Sequence, residues 1–65
     1  MRIGAVAYRG YSIRLVGTDD RWSLTVLPLV PELPVLPVCQ FMLTAPRDAE
    51  AVGEAKRQID ELLAA

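Results

Sequence analysis

The chain has 65 residues, a formal net charge of −1 and a hydrophobic content of 52%. This length allows one small domain, residues 1–65, that buries only about 60% of the surface exposed by its unfolded chain. One cysteine and no histidine exclude an intrachain disulfide and the Cys/His sites of structural zinc. The near-neutral charge excludes a general attraction to nucleic acid or acidic membranes.

The combination of short length and high apolar content predicts self-association. Small domains that lack disulfides and metals are commonly stabilised by a partner subunit. We therefore expect a homodimer, with a further protein partner as a second possibility and no cofactor.

The sequence also predicts a cytoplasmic location and no membrane association. No apolar run approaches the ~20 residues that a spanning helix needs, and residues 3–8 are too few for the apolar core of a secretory signal. Arginine far outnumbers lysine and alanine is common, which is typical of GC-rich bacterial genomes.

Two alternating runs predict an antiparallel hairpin. In residues 11–16 and 22–27, apolar side chains alternate with polar ones, as in half-buried strands. The five residues 17–21 form a polar connection rich in turn formers. The solvent-exposed face of this hairpin would carry Ser12, Arg14, Ser23 and Thr25. Residues 3–8 are small and apolar without clear alternation, so they are either a fourth, edge strand or a loose N-terminal arm that pairs with another chain.

Four prolines follow at every third position, at Pro28, Pro31, Pro34 and Pro37. This spacing matches the three residues per turn of polyproline II and predicts a rod that crosses the sheet or projects from it. The spacing also fits ligands of SH3-like grooves, but no basic residue flanks it. We expect the apolar residues around the prolines to pack on the chain's own sheet or on a second copy. The candidate interface residues are Leu29, Val30, Leu33, Val35, Leu36 and Met42.

A third strand and a helix complete the predicted fold. Residues 38–43 resume strand character, with Cys39, Phe41 and Leu43 on the core side. Residues 48–65 predict a helix, capped at Thr44 or Ala45 and closely approaching the sheet beside Gly53. Its apolar stripe is Ala49, Val52, Ala55, Ile59, Leu62 and Leu63. The predicted class is α+β, a small antiparallel three-stranded sheet (four strands if residues 3–8 join) with one C-terminal amphipathic helix on one face, in the order β-β-β-α.

No pattern in the chain predicts catalysis. Without histidine there is no Ser-His or Cys-His pair, and Cys39 is expected to act as a small core hydrophobe. Asp19 and Asp20 are typical of a solvated turn. No glycine-rich phosphate-binding motif occurs. We therefore expect a non-catalytic binding protein without a metal.

Charge is distributed unevenly along the chain. Residues 1–27 carry four arginines and two aspartates, a balance of +2, whereas residues 28–65 carry three basic and six acidic residues, a balance of −3. A basic sheet face would suit weak nucleic-acid binding, although alternation places Tyr11 and Trp22 in the core. The nucleic-acid candidates are Tyr8, Arg9, Arg14 and Arg21.

The C-terminal two-thirds resembles HicB-type antitoxin domains, which have a strand, a proline-containing connection, another strand and a helix. The matching residues are Val26, Pro28, Leu29, Pro31, Leu33 and Pro34 in the first part and Ala51, Ala55, Lys56 and Ile59 in the helix. The acidic P-D-L-P-G turn of that family and its glycine before the next strand are replaced here by proline and valine. The chain also resembles short bacterial β-β-β-α proteins. The resemblance implies an antitoxin-like partner protein as an alternative to the homodimeric module.

Overall fold

The computed structural model describes residues 1–64 as a four-stranded antiparallel sheet followed by one helix. The strands lie in the sheet in the order of the sequence. The α+β class is confirmed, and the N-terminal segment is a fourth strand rather than a free arm. The elements are β1 (Arg2–Tyr8), β2 (Tyr11–Thr18), β3 (Arg21–Pro28), β4 (Gln40–Thr44) and α1 (Asp48–Ala64).

Two tight turns join the first three strands. Tyr8 pairs with Tyr11, so Arg9 and Gly10 alone form the first turn, with φ angles of 50° and 86°. Two consecutive positive φ angles are typical of the type I′ turn, whose twist matches that of the strands it joins. The second connection is shorter than predicted, since Thr18 pairs with Arg21.

The core lies between the sheet and α1, as the alternation predicts. β2 and β3 each bury three of the side chains predicted to face inward, and α1 buries three more. The buried residues of these elements are Tyr11, Ile13, Leu15, Trp22, Leu24, Val26, Ala51, Ala55 and Ile59.

At the start of the helix, the residue that faces the sheet differs from the one in the predicted apolar stripe. Ala51 is fully buried, whereas Ala49 is exposed, because the steps of four from Ile59 back through Ala55 lead to Ala51. The predicted close approach at Gly53 is wrong, since nothing lies within 4 Å of the position that a Cβ atom would occupy.

The predicted helix cap at Thr44 or Ala45 is also wrong, because α1 begins only at Asp48. Ala45 is instead a core residue. Its carbonyl accepts a hydrogen bond from the Trp22 indole at 3.0 Å, and its N–H donates to the Asp20 carbonyl at 2.8 Å. These bonds hold the end of β4 against the second turn.

The connection between β3 and β4 is bent rather than a straight rod. A turn at Pro31 and Glu32 interrupts the three-residue repeat, and β4 starts at Gln40, two residues later than predicted. The hydroxyl of Tyr11 donates to the Pro34 carbonyl at 2.6 Å, and Leu36 enters the core. The segment therefore folds back onto its own domain. Within residues 1–64, no helix is both long and apolar enough for a bilayer crossing.

Candidate interaction surfaces

The helix covers only the middle of the sheet. It packs on β2 and β3, and a helix with its side chains is about 10 Å wide. Four strands about 4.8 Å apart form a wider surface than that. The helix therefore leaves a flank of the sheet on each side, and the two flanks differ.

Polar contacts close the flank beside β1. The Tyr8 hydroxyl donates to the Asp60 carboxylate at 2.9 and 3.1 Å, and Arg9 forms an ion pair with the same carboxylate at 2.8 Å. The Lys56 ammonium lies 5.1 Å from the centroid of the Tyr8 ring, within the range of a cation–π contact. These contacts tie the first hairpin to the second half of α1.

The hydrogen bond from Arg9, followed by that from Tyr8, lowers the pKa of Asp60. The same carboxylate raises the pKa of the Tyr8 hydroxyl. A carboxylate with a lowered pKa in the folded state contributes stability above its unfolded pKa, and that contribution is lost as the pH falls through its folded pKa.

We expect Asp60→Asn to flatten the acid side of the stability curve. The wild-type free energy of unfolding should fall between about pH 5 and pH 2, and the variant should lose less over that interval because it lacks the titrating carboxylate. Urea unfolding across this pH range measures the difference. Glu32→Gln, which removes an exposed carboxylate outside the cluster, is the control. A variant curve parallel to wild type would contradict the role of Asp60.

The flank beside β4 is an open groove, which we call the β4–α1 groove. Its larger part, of about 690 Å³, has Phe41 and Leu43 on the strand side and Glu50 and Glu54 on the helix side. A second part of about 410 Å³ continues towards Leu36, Pro37 and Leu62. Val38 and Gln58 line both parts, so the two parts adjoin.

The helix wall of this groove is acidic. Hydrogen bonds from Arg57 and then Gln58 lower the pKa of Glu54 to about 2, so its carboxylate stays ionised even in mild acid. Arg57 also pairs with Glu61. Glu50 is exposed and forms no ion pair within residues 1–64. The helix wall therefore carries three glutamates, Glu50, Glu54 and Glu61, and one arginine, Arg57.

The sheet face opposite the helix is uncovered, and we call it the open face. Ile3, Val16, Ser23 and Met42 lie side by side across the four strands, and Ile3 and Met42 are 77% and 74% exposed. Arg14 lies in the adjacent row, between Ala5 and Thr25.

The four nucleic-acid candidates do not lie on one surface. Tyr8 and Arg9 contact Asp60 on the helix side, whereas the register places Arg14 and Arg21 on the open face. The register places Tyr8, Tyr11, Trp22 and Phe41 on the opposite, helix side, so within residues 1–64 the open face offers no aromatic ring for a base to stack on.

The candidate dimer residues are also divided among several places. Leu29, Val30 and Val35 are exposed in the connection, and Met42 is exposed on the open face. Leu36 is only 5% exposed and Leu33 packs against the core. Within one copy, Leu36 is therefore buried and Leu33 is partly buried by their own domain, and the assignment of the six residues to an interface stays a prediction.

The outer edge of β1 is the longest uncharged strand edge of the sheet. β1 is seven residues long, and residues 3–7 contain no charge and no proline. By contrast, β4 has five residues, with Pro37 and Pro46 near its ends. The sequence predicted either an edge strand or a pairing arm here, and the strand order identifies the edge strand; none of the candidate interface residues lies on it.

Comparison with protein-family models, curated proteins and solved structures gave no match. The resemblance to HicB-type domains therefore stays a prediction. Within residues 1–64, no group of three His, Cys, Asp or Glu side chains is placed to hold a metal ion.

Proposed function

We propose that this chain is a non-catalytic protein-interaction module that forms a homodimer by antiparallel pairing of two β1 edges. The observation that carries the proposal is the unprotected outer edge of β1, with Ile3 77% exposed. An edge strand presents unpaired N–H and C=O groups, and proteins normally protect a long apolar edge with charges, prolines or bulges. Residues 3–7 have no charge and no proline, so a second copy is the cover that best fits this edge.

A twofold axis at Ala5, the middle residue of β1, gives a pairing with complementary side chains. In this register Ile3 of one copy lies opposite Ala7 of the other, and Gly4 lies opposite Val6. A large side chain thus meets a small one in both of these pairs, and the two Ala5 residues meet at the axis. The basic ends of the strand are already neutralised within each copy, since Arg2 pairs with Asp48 at 3.5 Å and Arg9 with Asp60.

The proposed dimer is an eight-stranded sheet with both helices on the same face. Each helix lies over β2 and β3. The two helix axes are therefore four strand-to-strand spacings apart, about 19 Å. This separation exceeds the width of a helix, and the two copies do not collide. The interface is isologous and closes after two copies.

Packing through the open face is less favourable. It would remove Arg14 from water, and the register places only Arg14 and Arg21 as charged residues of β2 to β4 on that face. Burying a charge without a partner of opposite sign costs several kcal/mol. Edge pairing leaves Arg14 in water.

A charge exchange at Ala5 tests the dimer. We expect Ala5→Lys and Ala5→Glu each to be monomeric, because each places two like charges opposite one another at the twofold axis. Mixing the two variants should restore a dimer containing one copy of each, as measured by light scattering and native mass spectrometry.

Gln40→Lys is the matched control, because Gln40 lies in the same side-chain row on the opposite edge of the sheet. It should leave the mass unchanged. A dimer that persists in Ala5→Lys, or that Gln40→Lys abolishes instead, would contradict pairing through β1.

We further propose a bacterial, cytoplasmic setting, which the arginine-rich, alanine-rich composition supports. An antitoxin-like role is compatible with the proposed module because it also acts through a protein partner. Co-purification with the product of a neighbouring gene would favour that role.

A further inference from the structure

We propose that the β4–α1 groove binds an extended segment of a partner protein, which adds as a fifth strand to the free edge of β4 and carries apolar side chains with at least one lysine or arginine. This inference deepens the proposed interaction role and requires no dimer. It concerns the opposite edge of the sheet from β1.

The free edge of β4 supplies the backbone contacts. β3 pairs with one side of β4, and within residues 1–64 no strand pairs with the other. An added strand would bond to the unpaired main-chain groups, as in other complexes formed by strand addition. Its alternate side chains would point towards the helix side of the sheet, which is where the groove lies.

The groove has room and an apolar strand-side wall for those side chains. Phe41 and Leu43 line the 690 Å³ part and are only half-buried. Val38, which is 59% exposed, lies where the two parts join. A groove of this size is within the range of volumes that accommodate ligands.

The acidic wall selects the charge of the occupant. Glu50 is exposed and forms no ion pair within residues 1–64, and the excess of glutamate over arginine along the wall is two. A lysine or arginine on the groove side of the added strand would meet these carboxylates, whereas an acidic segment would be repelled.

A phage library of random twelve-residue peptides selected on the immobilised protein provides the test. The enriched peptides should carry apolar residues at alternate positions, so that these lie on one side of the added strand, and should include lysine or arginine. A selected synthetic peptide, titrated into isotope-labelled protein, should shift the backbone amide signals of β4 and of α1 from Glu50 to Gln58. Failure to enrich any sequence, an acidic consensus, or shifts confined to β1 or the open face would overturn the proposal.

Charge reversal provides the quantitative readout. Glu50→Lys should lower the affinity for the selected peptide by roughly five- to tenfold. This range is expected when an exposed ion pair becomes a repulsion. Glu32→Lys makes the same change of charge outside the groove and should leave the affinity unchanged. Equal weakening in both variants would show only a general attraction to the acidic protein and would overturn the proposal.

The two proposals fail independently. The Ala5→Lys variant should bind the peptide with wild-type affinity whether or not it dimerises. Competition between the peptide and self-association would show that a second copy occupies the groove, and would contradict the partner-segment proposal.

Discussion

Gly17→Ala is expected to cause the largest loss of stability of the substitutions considered. A Cβ atom at Gly17 would lie 2.2–2.7 Å from three ring atoms of Trp22, its partner across the strands. The indole cannot move away easily because it is fully buried and donates a hydrogen bond to the Ala45 carbonyl. Overpacking of a core costs typically 1–3 kcal/mol and occasionally more, and we expect about 3 kcal/mol here.

This cost is large compared with the stability of so small a domain. At about 0.05–0.15 kcal/mol per residue, a chain of this length has a free energy of unfolding of roughly 3–10 kcal/mol. Urea unfolding followed by circular dichroism and by Trp22 fluorescence measures the loss.

Two other glycines provide matched controls. A Cβ atom at Gly4, also in a strand, would lie 3.4 Å from the nearest Leu15 atom, so Gly4→Ala should change stability little. Gly53→Ala should stabilise the protein by up to about 1 kcal/mol, because the helical position is open and alanine is the better helix former. A Gly17→Ala variant that unfolds at the wild-type urea concentration would show that Trp22 does not lie over Gly17.

Ile59→Ala is expected to have the second large effect, a loss of about 3 kcal/mol within the 2–5 kcal/mol usual for such truncations. The fully buried residues of α1 are Ala51, Ala55 and Ile59, and Ile59 is the only large one. Its truncation would leave a cavity against the sheet and a helix held mainly by small and half-buried contacts. The same urea titration measures this loss, together with the hydrogen-exchange protection of α1.

Leu62→Ala is the control for Ile59→Ala, because Leu62 lies one turn later and is only half-buried. It should cost about 1 kcal/mol, since less apolar surface leaves water when it packs. Equal losses in the two variants would indicate that the helix docks in a different rotation.

The strands could be predicted because their alternation records directly which face is buried. Tyr11 to Leu15 and Trp22 to Val26 carry this period of two, and the structure buries the expected members. The phase of the helix was harder to predict at its ends, because exposed Ala49 and buried Ala51 are chemically identical. Only the docking of α1 on the sheet distinguishes them.

The proline segment shows a different limit of sequence reasoning. Its three-residue spacing indicates a local backbone preference, whereas the observed path depends on tertiary contacts. Tyr11 bonds to the Pro34 carbonyl and Leu36 enters the core, and neither contact is encoded by the spacing.

The candidate surfaces could be predicted least. Each depends on where the helix lies across the sheet and on which strands are edges. The attachment of Tyr8 and Arg9 to Asp60 closes one flank and leaves the β4–α1 groove on the other. These contacts join residues more than 50 positions apart, so no local pattern reveals them.

The mass of the wild-type protein in solution is the most direct test of the central claim that a second copy covers β1. Light scattering coupled to size-exclusion chromatography, over about 1 to 500 µM because dimerisation depends on concentration, should give a particle approaching twice the 7.2 kDa chain mass. A particle of 7.2 kDa across the whole range would contradict the account.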